Sequence, residues 1–398
     1  MNLLQHKKGR NLAAFAFYFA EGAPIGFIWW AMPTLLRKSG ADVAEIGSFT
    51  AILILPWVFK FLWAPLIDVF RSSRFGFKKW IFLSQSLMCL SLLPLIFIPL
   101  EDNYFIWMFL LFLHSIFAAT QDVSVDALVI NITAPTEKGL LNGFMQAGML
   151  LGRSLYGGGI LIISQQIGLS VSVALLIISI LIIMLLLFFI KDPPIPTADE
   201  AKFTSFKTNI TEAFTSNRTW YSIAFAFTAA AAFEAGGAFA GPLLTDYKMP
   251  QQTIGFFFAV PVVICMLLGG ITGGFLSDLY GRKKMLTFFI PGFVIMVMLV
   301  ALFGIRNPGI PETGWMIMYS GMYFFAGMFT AASYALFMDV TNPKLGATQF
   351  STFMSATNGC EAWVVYSAGI IAAASDYNIA FLVMCMVSLS ALLFLRKI

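Results

Sequence analysis

Gly273-Gly274-Phe275-Leu276-Ser277-Asp278-Leu279-Tyr280-Gly281-Arg282-Lys283-Lys284 is the stretch whose reading decides the fold of this chain. It lies between two long apolar segments and spells G-x-x-x-D-x-x-G-R-x-K at Gly274, Asp278, Gly281, Arg282 and Lys284. Each residue type has a physical use at that spacing. A small residue lets two membrane helices cross closely. An acid at a helix end pairs with a cation or meets the positive N-terminus of a neighbouring helix. Gly281 permits a tight turn, and the cations after it hold the loop in the cytoplasm.

Composition agrees with a loop between membrane helices. The 398 residues are 59% hydrophobic and only 11% charged, with a mean hydropathy of +0.84. Soluble domains carry about 25% charge, so a water-exposed globule is excluded. The 16% aromatic content suits interfacial belts. A net charge of +4 carried in short loops beside apolar segments gives no reason to expect a nucleic-acid partner. Cys89, Cys265, Cys360 and Cys385 all fall inside apolar segments and read as small buried hydrophobes.

A membrane helix needs about 20 apolar residues. Twelve segments meet that need, giving an all-α membrane protein. They run at 11–36, 43–67, 80–99, 104–130, 139–164 and 169–190, then 219–245, 252–277, 284–304, 315–340, 345–374 and 377–395. The one long polar connection, 191–218, reads as a cytoplasmic linker with a short surface helix at 203–216. It separates a six-helix bundle at 1–190 from a second at 219–398. Of the 24 Lys and Arg residues, 18 fall on one side if the N-terminus is inside. Four (Arg37, Lys38, Lys248 and Arg306) fall on the other, while Lys60 and Arg153 stay within the membrane. That bias places both termini in the cytoplasm. The halves repeat weakly. Pro33-Thr34-Leu35-Leu36 and Pro242-Leu243-Leu244 end equivalent helices, and Leu66-Ile67-Asp68 and Leu276-Ser277-Asp278 end the next pair.

With these features together, the 274–284 loop resembles the cytoplasmic motif of the major facilitator superfamily of transporters. Three further stretches resemble the AmpG-like branch of that superfamily. They are Lys60-Phe61-Leu62-Trp63-Ala64-Pro65-Leu66-Ile67-Asp68, Thr120-Gln121-Asp122-Val123-Ser124-Val125-Asp126-Ala127 and Gly346-Ala347-Thr348-Gln349-Phe350. The branch contains muropeptide permeases, acetyl-CoA transporters and siderophore importers. The resemblance implies the major facilitator fold, two pseudo-symmetric six-helix bundles, in a bacterial inner membrane. Asp68, Gly274, Asp278, Gly281 and Arg282 are then the gating-loop residues. The first copy departs from the motif, with Ala64 at the first Gly position and Arg71 at the second.

Ionisable residues at bilayer depth cost about 2.5 kcal/mol or more unless paired or hydrated. Counting from helix ends puts Glu21, Arg153, Glu234 and Glu361 near the midplane, with Lys60, Asp122 and Asp126 in the cytoplasmic half. Asp122 and Asp126 share a helix face at i, i+4, and Lys60 is the cation placed to pair with either, as a working group or as a fixed clasp. Glu21 lies in Ala20-Glu21-Gly22-Ala23-Pro24, and Glu234 in Phe233-Glu234-Ala235-Gly236-Gly237. Gly and Pro beside an acid point to locally opened helices where backbone reaches a solute. The five acids Glu21, Asp122, Asp126, Glu234 and Glu361 are the proton-coupling candidates. Arg153, before Tyr156 and Gly157-Gly158-Gly159, suits an anionic group of the substrate through its forked donors, or a neighbouring acid. Gln121, Asn142, Gln146 and Asn358 offer neutral hydrogen bonds, and Trp29, Trp30 and Tyr156 offer aromatic surface beside Arg153 and Lys60.

No phosphate-binding glycine loop, nucleophile motif or histidine-rich metal constellation is present, so an enzyme is not expected. His6 lies in the N-terminal tail, and His114 sits alone in the fourth helix, where a packed role is expected. The expectation is a monomeric, proton-coupled carrier in the lipid bilayer, with no cofactor or metal beyond the proton gradient. It would import a medium-sized organic solute of muropeptide type. Siderophore import is the alternative, then acyl-CoA transport or export of a drug or metabolite.

Overall fold

In the computed structural model, twelve long helices account for nearly all of the described residues, which are 2–69, 76–100, 103–132, 138–192, 214–306, 310–341 and 346–398. They are α1 (Lys7–Lys38), α2 (Val43–Val69), α3 (Phe77–Ile96), α4 (Tyr104–Ile132), α5 (138–167), α6 (169–189), α7 (Asn217–Asp246), α8 (Gln251–Tyr280), α9 (Arg282–Arg306), α10 (Glu312–Val340), α11 (Gly346–Ala374) and α12 (Tyr377–Leu395). Helix α5 passes into α6 at Gly168, whose φ of 81° only glycine adopts without cost. Most of the linker expected at 191–218, including 203–213 of its surface helix, lies outside the described residues.

Several helices are opened at identifiable residues. Helix α1 contains Pro24, which cannot donate to the carbonyl one turn back, and a π-helical turn follows at Phe27–Ala31. Helix α5 carries a second π turn at Ser154–Gly159, where three glycines in a row relax the backbone. Helix α7 is three pieces, Asn217–Ala226, Ala231–Ala238 and Ala240–Asp246. One amide freed at its first break, that of Ala232, donates to Ser388 Oγ on α12 at 2.8 Å. Helix α8 breaks between Ala259 and Pro261, because proline has no amide to continue the ladder.

The chain packs as two compact units. The first holds Met1–Leu35, Leu62–Pro196 and Pro250–Ala259, and the second holds Leu36–Phe61, Thr197–Met249 and Val260–Ile398. The start of α2 thus packs with second-half helices, and the start of α8 with first-half helices. Glycine makes both arrangements possible. In the first unit a Cβ on Gly158 would come 2.2 Å from Ala259 N and 2.3 Å from Gly255 O. Gln251 fastens the same crossing by donating to Leu161 O at 2.8 Å and Ser164 Oγ at 3.0 Å. In the second unit a Cβ on Gly47 would lie 2.7 Å from Val365 O on α11.

The main crossing of the first unit is α1 on α5. Added Cβ atoms would meet Met149 O at 2.1 Å from Gly22, Phe15 O at 2.1 Å from Gly148, and Phe19 O at 2.6 Å from Gly152. The helices therefore touch backbone to backbone, the small-residue packing that membrane helices favour. In the second unit α8 meets α10 the same way, through Gly269, Gly273 and Gly327.

Candidate functional site

The α1–α5 crossing fixes a polar centre in the first unit. Gly26 sits against the backbone of Arg153, so the two π turns lie side by side. The Arg153 guanidinium stands over the Trp29 ring, 5.3 Å from its centroid. Its Nε is buried and has no hydrogen-bond partner among the described residues. A cation–π contact of this kind gives about 0.5–2 kcal/mol but leaves the guanidinium's in-plane donors unused. An anion brought edge-on could take them.

Below it on α1, Tyr18 is the hub of three acids. Its hydroxyl donates to Asp126 of α4, and Asp122 and Glu21 both act electrostatically on it. Glu21 and Asp122 are each 4% exposed, and Asp126 is half-buried. Gln121 is fully buried beside them; its Nε2 reaches Phe17 O at 3.5 Å while its Oε1 has no hydrogen-bond partner. Three of the acids expected from the sequence thus share one unit with Arg153. Nothing in the sequence had singled out Tyr18. Its α1 register, three residues before Glu21 and so on the same helix face, is the signal that was there to use.

Other candidates have structural work. The Tyr156 hydroxyl donates to Leu175 O at 2.8 Å and contacts Ser179, tying α5 to α6. Trp30 stacks on Phe258 at 5.5 Å and is buried. Gln146 is exposed. The side chains of Asn142 and Asp68 lie outside the described residues. His114 is buried, with Nδ1 against Met88 O at 3.2 Å, the packed role expected of it. The four cysteines are free thiols.

In the second unit Glu234 stands on the eight-residue middle piece of α7. Glu234 and Glu361 of α11 both act electrostatically on the buried Cys360 thiol. Asn358 Nδ2 donates to Trp57 O at 3.3 Å, and Lys60 is half-buried one turn further along α2. Near the other end of this unit Arg37 Nε donates to both carboxylate oxygens of Asp246, at 2.8 and 3.0 Å. Tyr377 donates to Asp246 at 3.0 Å. Burial, then Asp376 and Asp246, push the neighbouring Tyr247 phenol up, keeping it a donor to Gly304 O at 3.1 Å.

The decisive loop is built somewhat differently from its sequence reading. Gly281 has φ 92° and makes the turn. The close crossing falls to Gly273, whose Cβ would meet Met328 Cα at 2.4 Å, whereas a Cβ on Gly274 would meet open space. Arg282 NH1 contacts Asp339 of α10 and donates to Ala335 O at 2.9 Å. Asp278 is 3.7 Å from Arg282 and 76% exposed, so it is the weaker partner.

Long apolar helices crossing on glycine, interrupted beside buried acids, define a polytopic membrane protein with a polar interior, the build of a carrier. The Major Facilitator Superfamily profile matches residues 11–265, and the chain belongs to that superfamily. It is a membrane-embedded transporter of small organic solutes, not an enzyme, and transporters of this superfamily generally need no cofactor. A Rickettsia conorii protein carrying the name AmpG 4 is 26% identical over 98% of this chain and 96% of its own length. The anhydromuropeptide permease of Escherichia coli is 24% identical over 84% of this chain and 68% of that protein. The crystal structure of a D-xylose-proton symporter superposes with a TM-score of 0.76 at 12% identity, covering 97% of this chain and 96% of that one. The last likeness shows the major facilitator fold.

Proposed function

We propose that this protein is a proton-coupled importer of muropeptide-like solutes, working by alternating access between its two sequence halves, 1–190 and 219–398. The observation that carries the reading is the Arg153 guanidinium, held over Trp29 with a buried, unused Nε, in the same unit as three acids gathered on Tyr18. A sugar peptide with free carboxylates supplies the anion Arg153 lacks, and stacking on Trp29 suits a sugar face. The likeness to the anhydromuropeptide permease supports the same substrate class. Glu21 is the first proton carrier of the reading, with Asp122 and Asp126 beside it and Glu234 and Glu361 in the second unit. Both termini are cytoplasmic, the membrane is the bacterial inner membrane, and a monomer suffices.

Uptake of labelled anhydromuropeptide into proteoliposomes, with and without an inward proton gradient, tests the reading. The gradient should drive accumulation. Arg153→Ala should weaken solute binding roughly 10- to 150-fold, the range for losing a charged hydrogen bond of about 1.5–3 kcal/mol. Glu21→Gln should keep counterflow exchange while losing gradient-driven accumulation. Wild-type binding in Arg153→Ala, or accumulation unchanged in Glu21→Gln, would sink the respective assignment.

A further inference from the structure

The loop that decides the fold also lines a cavity of about 470 Å³ at one end of the second unit. Its wall carries four cations and two acids. Both acids, Asp339 and Asp278, are engaged by Arg282. Arg218, Lys283 and Lys284 make no ion pair among the described residues. Lys284 only stands over the Tyr280 ring at 5.9 Å. Helix α9 begins at this wall with no acid in its own first turn, so any negative partner for its first amides and its dipole comes from outside the helix.

A second observation is independent of these charges. Ser277, at the end of α8, is 2% exposed, lines the cavity, and its Oγ has no hydrogen-bond partner. A serine in a helix ordinarily bonds back to a carbonyl one turn earlier. Here the hydroxyl of a residue in the cavity wall is buried without a partner.

We propose that this cavity binds the phosphate of an anionic phospholipid headgroup. Lys283, Lys284 and Arg218 supply the charge, and Ser277 and the first amides of α9 supply short-range donors. The lipid, rather than free phosphate, is argued from the surroundings. Tyr280 in the loop and Trp220, two residues after Arg218, are exposed, as are Phe275 and Leu279, and Trp and Tyr of this kind mark the depth where headgroups lie. Basic clusters beside a membrane helix attract anionic lipid in this way.

Native mass spectrometry of the purified full chain, titrated with phosphatidylglycerol, phosphatidylcholine or inorganic phosphate, tests the site. Phosphatidylglycerol should occupy one site well before phosphatidylcholine does. At about fivefold per cation, Lys283→Gln with Lys284→Gln should weaken that binding about 25-fold. Ser277→Ala, which spares every charge, should weaken it a few-fold and serves if the double variant does not fold. Equal binding of both lipids, or unchanged phosphatidylglycerol affinity in both variants, overturns the site. Phosphate that binds the lipid-free protein and is not displaced by phosphatidylglycerol overturns the lipid as its occupant.

Discussion

Replacing Gly22 by alanine puts a methyl group 2.1 Å from Met149 O, about 1.3 Å short of the 3.4 Å at which contact becomes ordinary. The obstacle is backbone, and the reciprocal contacts of Gly148 and Gly152 with Phe15 and Phe19 are backbone too. No side chain can turn aside, so α1 and α5 must part by roughly an ångström. A gap of about that size forfeits a quarter to a half of each dispersion contact across the crossing. Overpacking of this kind costs about 1–3 kcal/mol. The gain in helix propensity from Gly to Ala, about 1 kcal/mol, offsets only part of it. The control is on the facing helix, α5: a Cβ on Gly143 would meet nothing within 4 Å, so Gly143→Ala should be neutral or stabilising. Thermal unfolding followed by a thiol-reactive fluorophore reads the difference, since Cys89, Cys360 and Cys385 are buried thiols that report opening. Gly22→Ala should unfold earlier than wild type and Gly143→Ala should not. Equal unfolding of the two variants would refute the argument that this crossing is held by backbone contact.

In the loop, Gly281→Ala should cost about 1–3 kcal/mol because φ of 92° with ψ of 134° is closed to L side chains, and Gly281→Asn should cost about as much, since ψ lies outside the left-handed helical region that Asn tolerates; wild-type stability of either variant would count against the turn as the cause. Asp339→Asn should lower thermal stability, while Asp278→Asn should stay within about 0.5 kcal/mol of wild type, since only Asp339 is in close contact with Arg282. The opposite ranking in a thermal melt would contradict the placement of that pair. Asp246→Ala strips the acceptor from both Arg37 and Tyr377 and should cost about 1–3 kcal/mol, against about 1 kcal/mol for Tyr377→Phe. A double-mutant cycle showing no coupling between Arg37 and Asp246 would refute their pairing.

What the sequence disclosed was whatever is written locally. Apolar length marked the helices, with the joint between α5 and α6 falling between the segments 139–164 and 169–190, and Gly281 marked the turn with positive φ. Gly and Pro beside Glu21 and Glu234 marked backbone that departs from the regular ladder, and a π turn begins at Phe27 on α1 while α7 breaks on both sides of Glu234. What stayed hidden depends on partners far along the chain. Tyr18 meets Asp126 across 108 positions, and Arg37 meets Asp246 across 209. Arg37 counted only as a cation on the outer side, because charge placement gives a side of the membrane and not a partner. Asp339 went unremarked because a loop motif ends where its own letters end, while the cation it presents is satisfied by another helix.

The glycines show the same division from the other direction. Gly273 and Gly274 are indistinguishable in sequence, yet one is pressed against Met328 and the other faces open space. A helix turns 100° per residue, so neighbours differ wholly in what they face. The register of one helix on another, set by every contact along the crossing, chooses between them. The same register brings Gly26 to Arg153 and so aims the guanidinium at Trp29. The identity of the charged residue was legible in the sequence. Its usefulness to an anion depends on the crossing, and a carrier site assembled this way is lost by moving a helix as surely as by removing the arginine.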